Sequence, residues 1–507
     1  MAGVKSLVKD TAVYGMSSIV GRFLNWCLVP LYVYIFKDPA SYGVVSYLYS
    51  FTAVALVILN YGMETGFFRF ANKDPEPEKV YTTALISVGG TSLVFIAMLS
   101  LFLNPISNAM LLPGDGLYVW LLGVTVAVDA FSNIPFAYLR YKNQAFRFAG
   151  IKLFNVFLNI ALNLFFLLAC PVINKSCPQA IAWFYDAAGG ADFGIGWIFV
   201  ANFISTMVIL LTLLPQLKGR RWRFDGSLLK CMLRYSWPLL VLGVAGILSQ
   251  NMGQLLIPRI FEGNEEAGRT MVGIYGANIK IAIVMVMFTQ AFRYAYEPFI
   301  FARAKGENED RRHTYADAMK FFVIFGLWIF LGVMFFLPVL KYFISPGYWE
   351  GLRVVPVMMA ADLCYGVFFN LSLWYKLTDR TVWGMYFSLL CFALMLGLNL
   401  WLVPAIGIPD GYMGSAWAAL ISYFIVMVLS YFIGRKYYPI DYHLGRMGLY
   451  TIFAAILYVA GIYAEWPQMM WLTYSVRTIL IIAYAVVVCT FENVPLVSPL
   501  VRRLVRR

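Results

Sequence analysis

A small set of ionisable side chains falls inside long apolar stretches of this sequence: Arg22, Glu64, Asp129, Lys280, Arg293, Glu297, Asp362 and Arg477. A charge near the middle of a bilayer costs about 2.5–3.5 kcal/mol on insertion scales, so it normally faces a partner or a cavity. Arg22 is the most pointed case. It lies mid-way along the first apolar segment, and Ser18, Arg22 and Asn25 share one helical face. Such a cation suits an anionic substrate group; the alternative is a buried ion pair. Arg293 and Glu297 are four apart and can pair along one helix. Lys280 and Arg477 lie closer to helix ends, where long cationic side chains can snorkel outward.

Glu64 and Arg69 are five apart and point to different faces. Glu64 could therefore pair with a base on another helix, even across two halves of the chain, as a fixed bridge or as part of an inner gate with Arg69 and Glu297. Asp129 and Asp362 could each bind a coupling H+ or Na+, or serve as hydrogen-bonded structural groups. Uncharged polar residues form two further clusters. Asn155, Asn159 and Asn163 recur at i, i+4 and i+8, and Gln250, Asn251 and Gln254 sit together mid-way along another segment. These either bind helices together or line a wet cavity that could receive sugar hydroxyls.

The elements that position these groups are membrane helices. The 507-residue chain is 61% hydrophobic and 13% charged, against about 25% charged for a soluble domain. Fourteen apolar segments are expected, among them 10–36, 42–71, 117–140, 148–170, 231–260, 271–301, 351–376 and 470–490. The class is an all-α polytopic membrane protein. The first apolar segment is too long for a signal-peptide core and lacks a small-residue cleavage site, so a cleaved leader is not expected. The net charge of +13 does not imply nucleic acid, since no soluble basic domain carries it. Most Lys and Arg fall in alternate connections, notably Lys218 to Arg234, Arg303 to Arg312 and Arg502 to Arg507. By the positive-inside rule these connections and both termini are cytoplasmic.

No Walker or dinucleotide sequence occurs, and His313 and His443 lack metal-ligand partners in the sequence. The pattern predicts a transporter, with no catalytic residue, no metal site and no cofactor beyond a coupling ion. Cys170 precedes the longest outer loop, Pro171 to Phe193, and Cys177 lies within it, so the two could form a disulfide there.

Landmarks recur at one offset. Tyr42-Gly43 and Glu64 match Tyr275-Gly276 and Glu297, each 233 residues later, as Asp129 matches Asp362; Asn163 and Asn399 follow at a slightly larger offset. Two similar six-helix lobes are expected, 1–220 and 221–440, followed by 441–507 with two extra helices and a basic tail. Because each lobe has an even number of spans, the lobes share orientation and should be related by an axis along the membrane normal.

The residues Tyr14-Gly15, Ser17 to Asn25, Pro30-Leu31-Tyr32, Tyr61 to Phe70, Phe292-Arg293-Tyr294 and Glu297-Pro298-Phe299 resemble the polysaccharide-biosynthesis branch of the MOP (multidrug, oligosaccharidyl-lipid, polysaccharide) exporter superfamily. The resemblance implies two bundles around a cavity that opens alternately to each side. It implies a flippase of a bacterial inner membrane that moves an undecaprenyl-pyrophosphate-linked oligosaccharide for O-antigen, capsule or exopolysaccharide synthesis. It places Arg22 and Arg293 near the pyrophosphate, since cavity arginines on helices 1 and 8 are assigned that role in the related lipid II flippase; Asn25 and Lys280, on the same two helices, are further substrate-binding candidates by position. The last two helices would hold the lipid tail, and a polysaccharide polymerase and glycosyltransferases would be partners. A cation-coupled multidrug exporter of the same fold is the alternative. That branch typically has an acid within helix 1, where this chain has Arg22. A membrane glycan polymerase or ligase is a further reading, disfavoured by the lack of a large outer loop with His.

Overall fold

The computed structural model describes residues 15, 17, 19–186, 189–218, 222–303, 308–378, 380, 382–466 and 468–492. Among them no strand occurs, and thirteen helices are long and apolar enough to cross a membrane. A shorter apolar helix, α1, Ile19–Ile35, precedes them; of the expected segment before it, only residues 15 and 17 are among the described residues. The long helices are α2 Pro39–Ala71, α3 Pro77–Leu101, α4 Gly116–Tyr141, α5 Ala145–Ser176, α6 Gly196–Leu217 and α7 Gly226–Ile260. They continue with α8 Glu265–Arg303, α9 Asn308–Phe335, α10 Pro346–Tyr375, α11 Val382–Ile406, α12 Gly411–Tyr437, α13 Leu444–Tyr463 and α14 Met470–Phe491. The chain is an all-α, multi-pass membrane protein.

Helix starts follow local chemistry. Asp38 caps α2, accepting from the backbone N–H groups of Ala40 and Ser41 at 3.1 Å, with Pro39 in the first turn. Asp225 caps α7 in the same way through Ser227 and Leu228. It also meets Lys79 of α3 at 2.5 Å. The Lys79 ammonium first, then the hydrogen bonds from Ser227 and Leu228, hold the Asp225 carboxyl well below the usual carboxylate range.

Two expectations of continuous structure are corrected. The segment 42–71, expected as one helix, is interrupted within α2: Tyr61 has φ 29° and Gly62 φ 69°, and the helix restarts at Met63. The outer loop expected from Pro171 begins later, because α5 stays helical through Ser176. A wide π turn over Phe165–Ala169 leads into Cys170-Pro171, where proline has no N–H for the regular ladder. Cys170 is buried, Cys177 is exposed, and both are free thiols.

The chain divides into two compact units, Met1–Gly276 with Ser388–Ser415, and Ala277–Phe387 with Ala416–Arg507. In the first, α2, α3, α4 and α7 share a core of Met63, Phe67, Tyr81, Ala84, Ala127, Ala130, Ala137 and Met232. The alanines, at helical spacing on α4, let backbones approach closely where lipid offers no hydrophobic drive. In the second, α9, α13 and α14 pack around Phe322, Leu331, Phe335, Tyr450, Ala454 and Tyr484.

Asn163 and Asn399 make matching bonds within the first unit. Asn163 donates to the Asn159 carbonyl at 2.8 Å and accepts from the Tyr32 hydroxyl at 3.0 Å. Asn399 donates to the Met395 carbonyl at 2.8 Å and accepts from the Ser415 hydroxyl at 2.6 Å. Both are buried, so each ties two helices together.

Candidate functional site

The polar face of α4 gathers most of the intramembrane chemistry of the first unit. Asp129, Asn133, Phe136 and Arg140 follow one another at i, i+4, i+7 and i+11, a single helical stripe. It runs beside the alanine face, so α4 meets α3 with small side chains and its other neighbours with polar ones. From Asp129 to Arg140 the stripe covers roughly 16 Å.

Each rung has its partner. Asp129 accepts a long hydrogen bond from Thr206 of α6, 3.4 Å. Asn133 donates to Asn60 of α2 at 3.1 Å. The Lys152 ammonium of α5 lies 4.1 Å from the centre of the Phe136 ring, within electrostatic reach of Asp129. Arg140 pairs with Glu64 of α2, and its guanidinium lies over the rings of Phe68 and Phe148 at 5.0 and 5.6 Å. Two acids and two bases from three helices thus alternate along one face, which is how a membrane interior accommodates charge.

The break in α2 aims Glu64. The left-handed Tyr61-Gly62 step ends the first helical segment, and the new one starts with Glu64 in its first turn, where a carboxylate complements the helix dipole. The break is pinned on both sides. Tyr61 hydrogen-bonds Ser87 of α3 at 2.7 Å, and Ser236 of α7 donates to the Gly62 carbonyl at 3.2 Å. Arg69, one and a half turns further, stacks on Tyr235 of α7 at 4.1 Å. Glu64 pairs with a base on another helix, Arg140 of α4, within the first unit.

The other predicted residues are placed as follows. Arg22 and Asn25 are exposed on α1. Asn155 and Asn159 are half-buried on α5, and Asn159 supports Asn163. Gln250 is exposed, Asn251 bonds back to the Ile247 carbonyl at 2.9 Å, and Gln254 is buried against Ser50 of α2. In the second unit Lys280 and Asp362 are half-buried, and Arg293 is exposed with its guanidinium 4.4 Å from the Phe369 ring centre. The Glu297 side chain, and with it the expected Arg293–Glu297 pair, lies outside the described residues. Arg477 does not snorkel. It is 5% exposed and donates to the carbonyls of Gly461 and Phe335 at 3.1 and 3.2 Å, and the Phe335 ring fills the space that a side chain at Gly461 would need.

Sequence reading misses Arg140, Lys152, Lys320 and Glu492. The i, i+4, i+11 spacing of Asp129, Asn133 and Arg140 is the available signal for the first. Lys320 of α9 is 6% exposed at its side chain and meets Glu492, 5% exposed, at 2.6 Å. Tyr450 donates to the same carboxylate at 2.7 Å, so the pair fastens α9, α13 and the end of α14. Among the described residues no cluster of metal-ligating side chains occurs. A cavity of about 310 Å³ opens on the apolar side of α4, between Phe51, Ile58, Phe95, Met98 and Leu122; it offers nothing to a charged group.

The fold is that of a multi-pass membrane protein. Solved structures share it. One multidrug resistance MATE-family transporter of the MOP superfamily, in an inward-facing conformation, superposes with a TM-score of 0.63 at 14% identity, covering 82% of this chain and 94% of that one. The lipid II flippase MurJ, in an inward closed conformation, gives 0.66 at 12% identity, covering 95% and 99%. A MATE structure in complex with MaD3S gives 0.57 at 14% identity, covering 85% and 95%. The chain shares the fold of these structures, which are those of transporters and of a flippase. The sequence matches no family model, and it matches no curated protein.

Proposed function

We propose that this protein is a flippase that moves an undecaprenyl-pyrophosphate-linked oligosaccharide from the cytoplasmic to the outer leaflet of a bacterial inner membrane. Two lobes, 1–220 and 221–440, alternate access to a mid-membrane site, with both termini cytoplasmic and 441–507 alongside. The observation that carries this reading is the pair of arginines on α1 and α8. Arg22 and Arg293 are both exposed within apolar helices, and a guanidinium matches phosphate oxygens in charge and geometry. Asn25 and Lys280 are further candidates for contact with the substrate. The likeness to the lipid II flippase over 95% of this chain favours a lipid-linked substrate. Polysaccharide polymerase and glycosyltransferases are the partners such a step would feed.

The test is to replace Arg22 and Arg293 with alanine, separately, and to follow the lipid-linked glycan. Deleting the gene should leave an undecaprenyl-linked glycan on the cytoplasmic leaflet, and each variant should reproduce that accumulation. Export that survives both substitutions rules the pyrophosphate role out.

The second reading is a cation-coupled multidrug exporter, which the MATE neighbours favour. Asp129 and Asp362 would then be the groups that load the coupling ion. Drug-cation efflux from proteoliposomes that fails in Asp362→Asn and persists in Arg22→Ala would select this reading.

A further inference from the structure

We propose that Arg259 and Arg269 form a releasable latch that holds shut the end of the first unit where α2 begins. The proposal rests on the alternating-access reading above, in which this end must part in one state.

The turn from α7 to α8 presents both arginines to the connection between α3 and α4. That connection contains a short helix, Leu103–Ala109, followed by Met110 and by Leu111 at φ 56°. Arg259 donates to the Ala109 carbonyl, and Arg269 donates to the Leu111 carbonyl at 2.7 Å. Carbonyls at a helix C-terminus lack intrahelical partners and carry partial negative charge, so they are natural acceptors for a guanidinium. Glu265, one turn before Arg269, steadies it at 3.3 Å. Leu112 is 1% exposed and, with Leu111, lines a narrow crevice whose other walls include Gly43, Val44, Tyr47 and Pro258.

Beneath the latch, α2 and α8 touch backbone to backbone. A Cβ on Gly43 would collide with the Arg269 carbonyl, and one on Gly273 would collide with the Pro39 carbonyl. Gly276 in turn sits against Ser46. Gly43 and Gly273 thus face each other, about one helical turn from the contact of Gly276 with Ser46.

The chemistry suits release rather than permanence. The hydrogen-bond acceptors on the α3–α4 connection are neutral carbonyls, while Asp115 of that connection and Glu265 of α8 act on Arg269 through their charge. Arg259 is exposed and Arg269 half-buried, so water can replace each bond as it breaks. By the distribution of basic residues this end faces away from the cytoplasm. The latch would then set the balance between closed and open at the outer mouth.

The experiment places a cysteine at Val44 in the full-length protein and measures labelling by a membrane-impermeant maleimide, in excess of the parent chain. Arg259→Ala with Arg269→Ala should raise the labelling rate about tenfold, equivalent to about 1.4 kcal/mol in the open-to-closed balance. Arg269→Lys should give an intermediate rate. Unchanged labelling in a double variant that melts as the parent does overturns the latch. Should the double variant fail to fold, Leu111→Cys with Arg269→Cys, tethered by a short bifunctional thiol reagent, decides. The tether should protect Val44→Cys and stop transport, and transport at the untethered rate overturns the proposal. The labelling needs no substrate, so it can succeed even if the glycan assignment fails.

Discussion

Ser236 donates its hydroxyl to the carbonyl of Gly62 at 3.2 Å, and this one bond ties α7 to the break in α2. The break exists because Tyr61 and Gly62 both adopt positive φ. It ends one helical segment and starts the next, with Glu64 already in place to meet Arg140. The short motif around Gly62 thus works as a joint.

Gly62→Ala tests that joint. A left-handed φ costs a residue with a Cβ about 1–2 kcal/mol, and the new atom would lie 3.1 Å from the Ser236 carbonyl oxygen. The variant should melt earlier in detergent by that amount. Gly90→Ala is the control: it is helical with no neighbour within 4 Å, and gains up to about 1 kcal/mol of helix propensity.

Exchanging Glu64 and Arg140 tests the pair itself. Both side chains are about a third exposed, so solvent screening limits the pair to about 1 kcal/mol. Glu64→Gln and Arg140→Gln should each lower transport. The double variant Glu64→Arg with Arg140→Glu should recover most of what Glu64→Arg alone loses. A thermodynamic cycle with no coupling between the two positions would show that they act independently.

Glu492 predicts an acid limit for the second unit. Burial pushes its carboxyl up, but hydrogen bonds from Lys320 and Tyr450 and the charges of Lys320 and Arg446 outweigh that and leave it below its ordinary 4.5. A lowered carboxyl contributes stability that is present above the unfolded value and lost as pH falls through the folded one. Thermal melts should therefore hold from neutral pH to about 4.5 and fall below it, and Glu492→Gln should flatten that fall. Lys320→Met leaves a buried carboxylate without its main partner and should cost about 3–5 kcal/mol.

Arg477 fastens α14 to α13 and to the end of α9 through the Gly461 and Phe335 carbonyls. Arg477→Ala should loosen all three helices, by about 2–4 kcal/mol for a buried charged donor and the space it leaves. Arg477→Lys should recover little, because one ammonium cannot reproduce the planar fork. Limited proteolysis between α13 and α14 reads the effect.

The sequence alone determined the membrane class, the fourteen apolar segments and the recurrence of Tyr-Gly, Glu, Asp and Asn landmarks. Those properties follow from composition and spacing along one chain, since a span must be apolar over its length wherever it packs. It also marked Arg22, Glu64, Asp129 and Asn163 as residues that needed a partner or a space. Which partner each found was decided by the tertiary structure. Arg140 and Lys152 read in sequence as ordinary basic residues at cytoplasmic ends, yet helix rotation sets Arg140 beside Glu64 and brings Lys152 of α5 within reach of Asp129. Tyr61-Gly62 reads as helix, because glycine is common in membrane helices, and only packing against Ser87 and Ser236 fixes its left-handed step. Hydropathy records that a residue is buried. Register and rotation between helices distant in sequence decide what it is buried against.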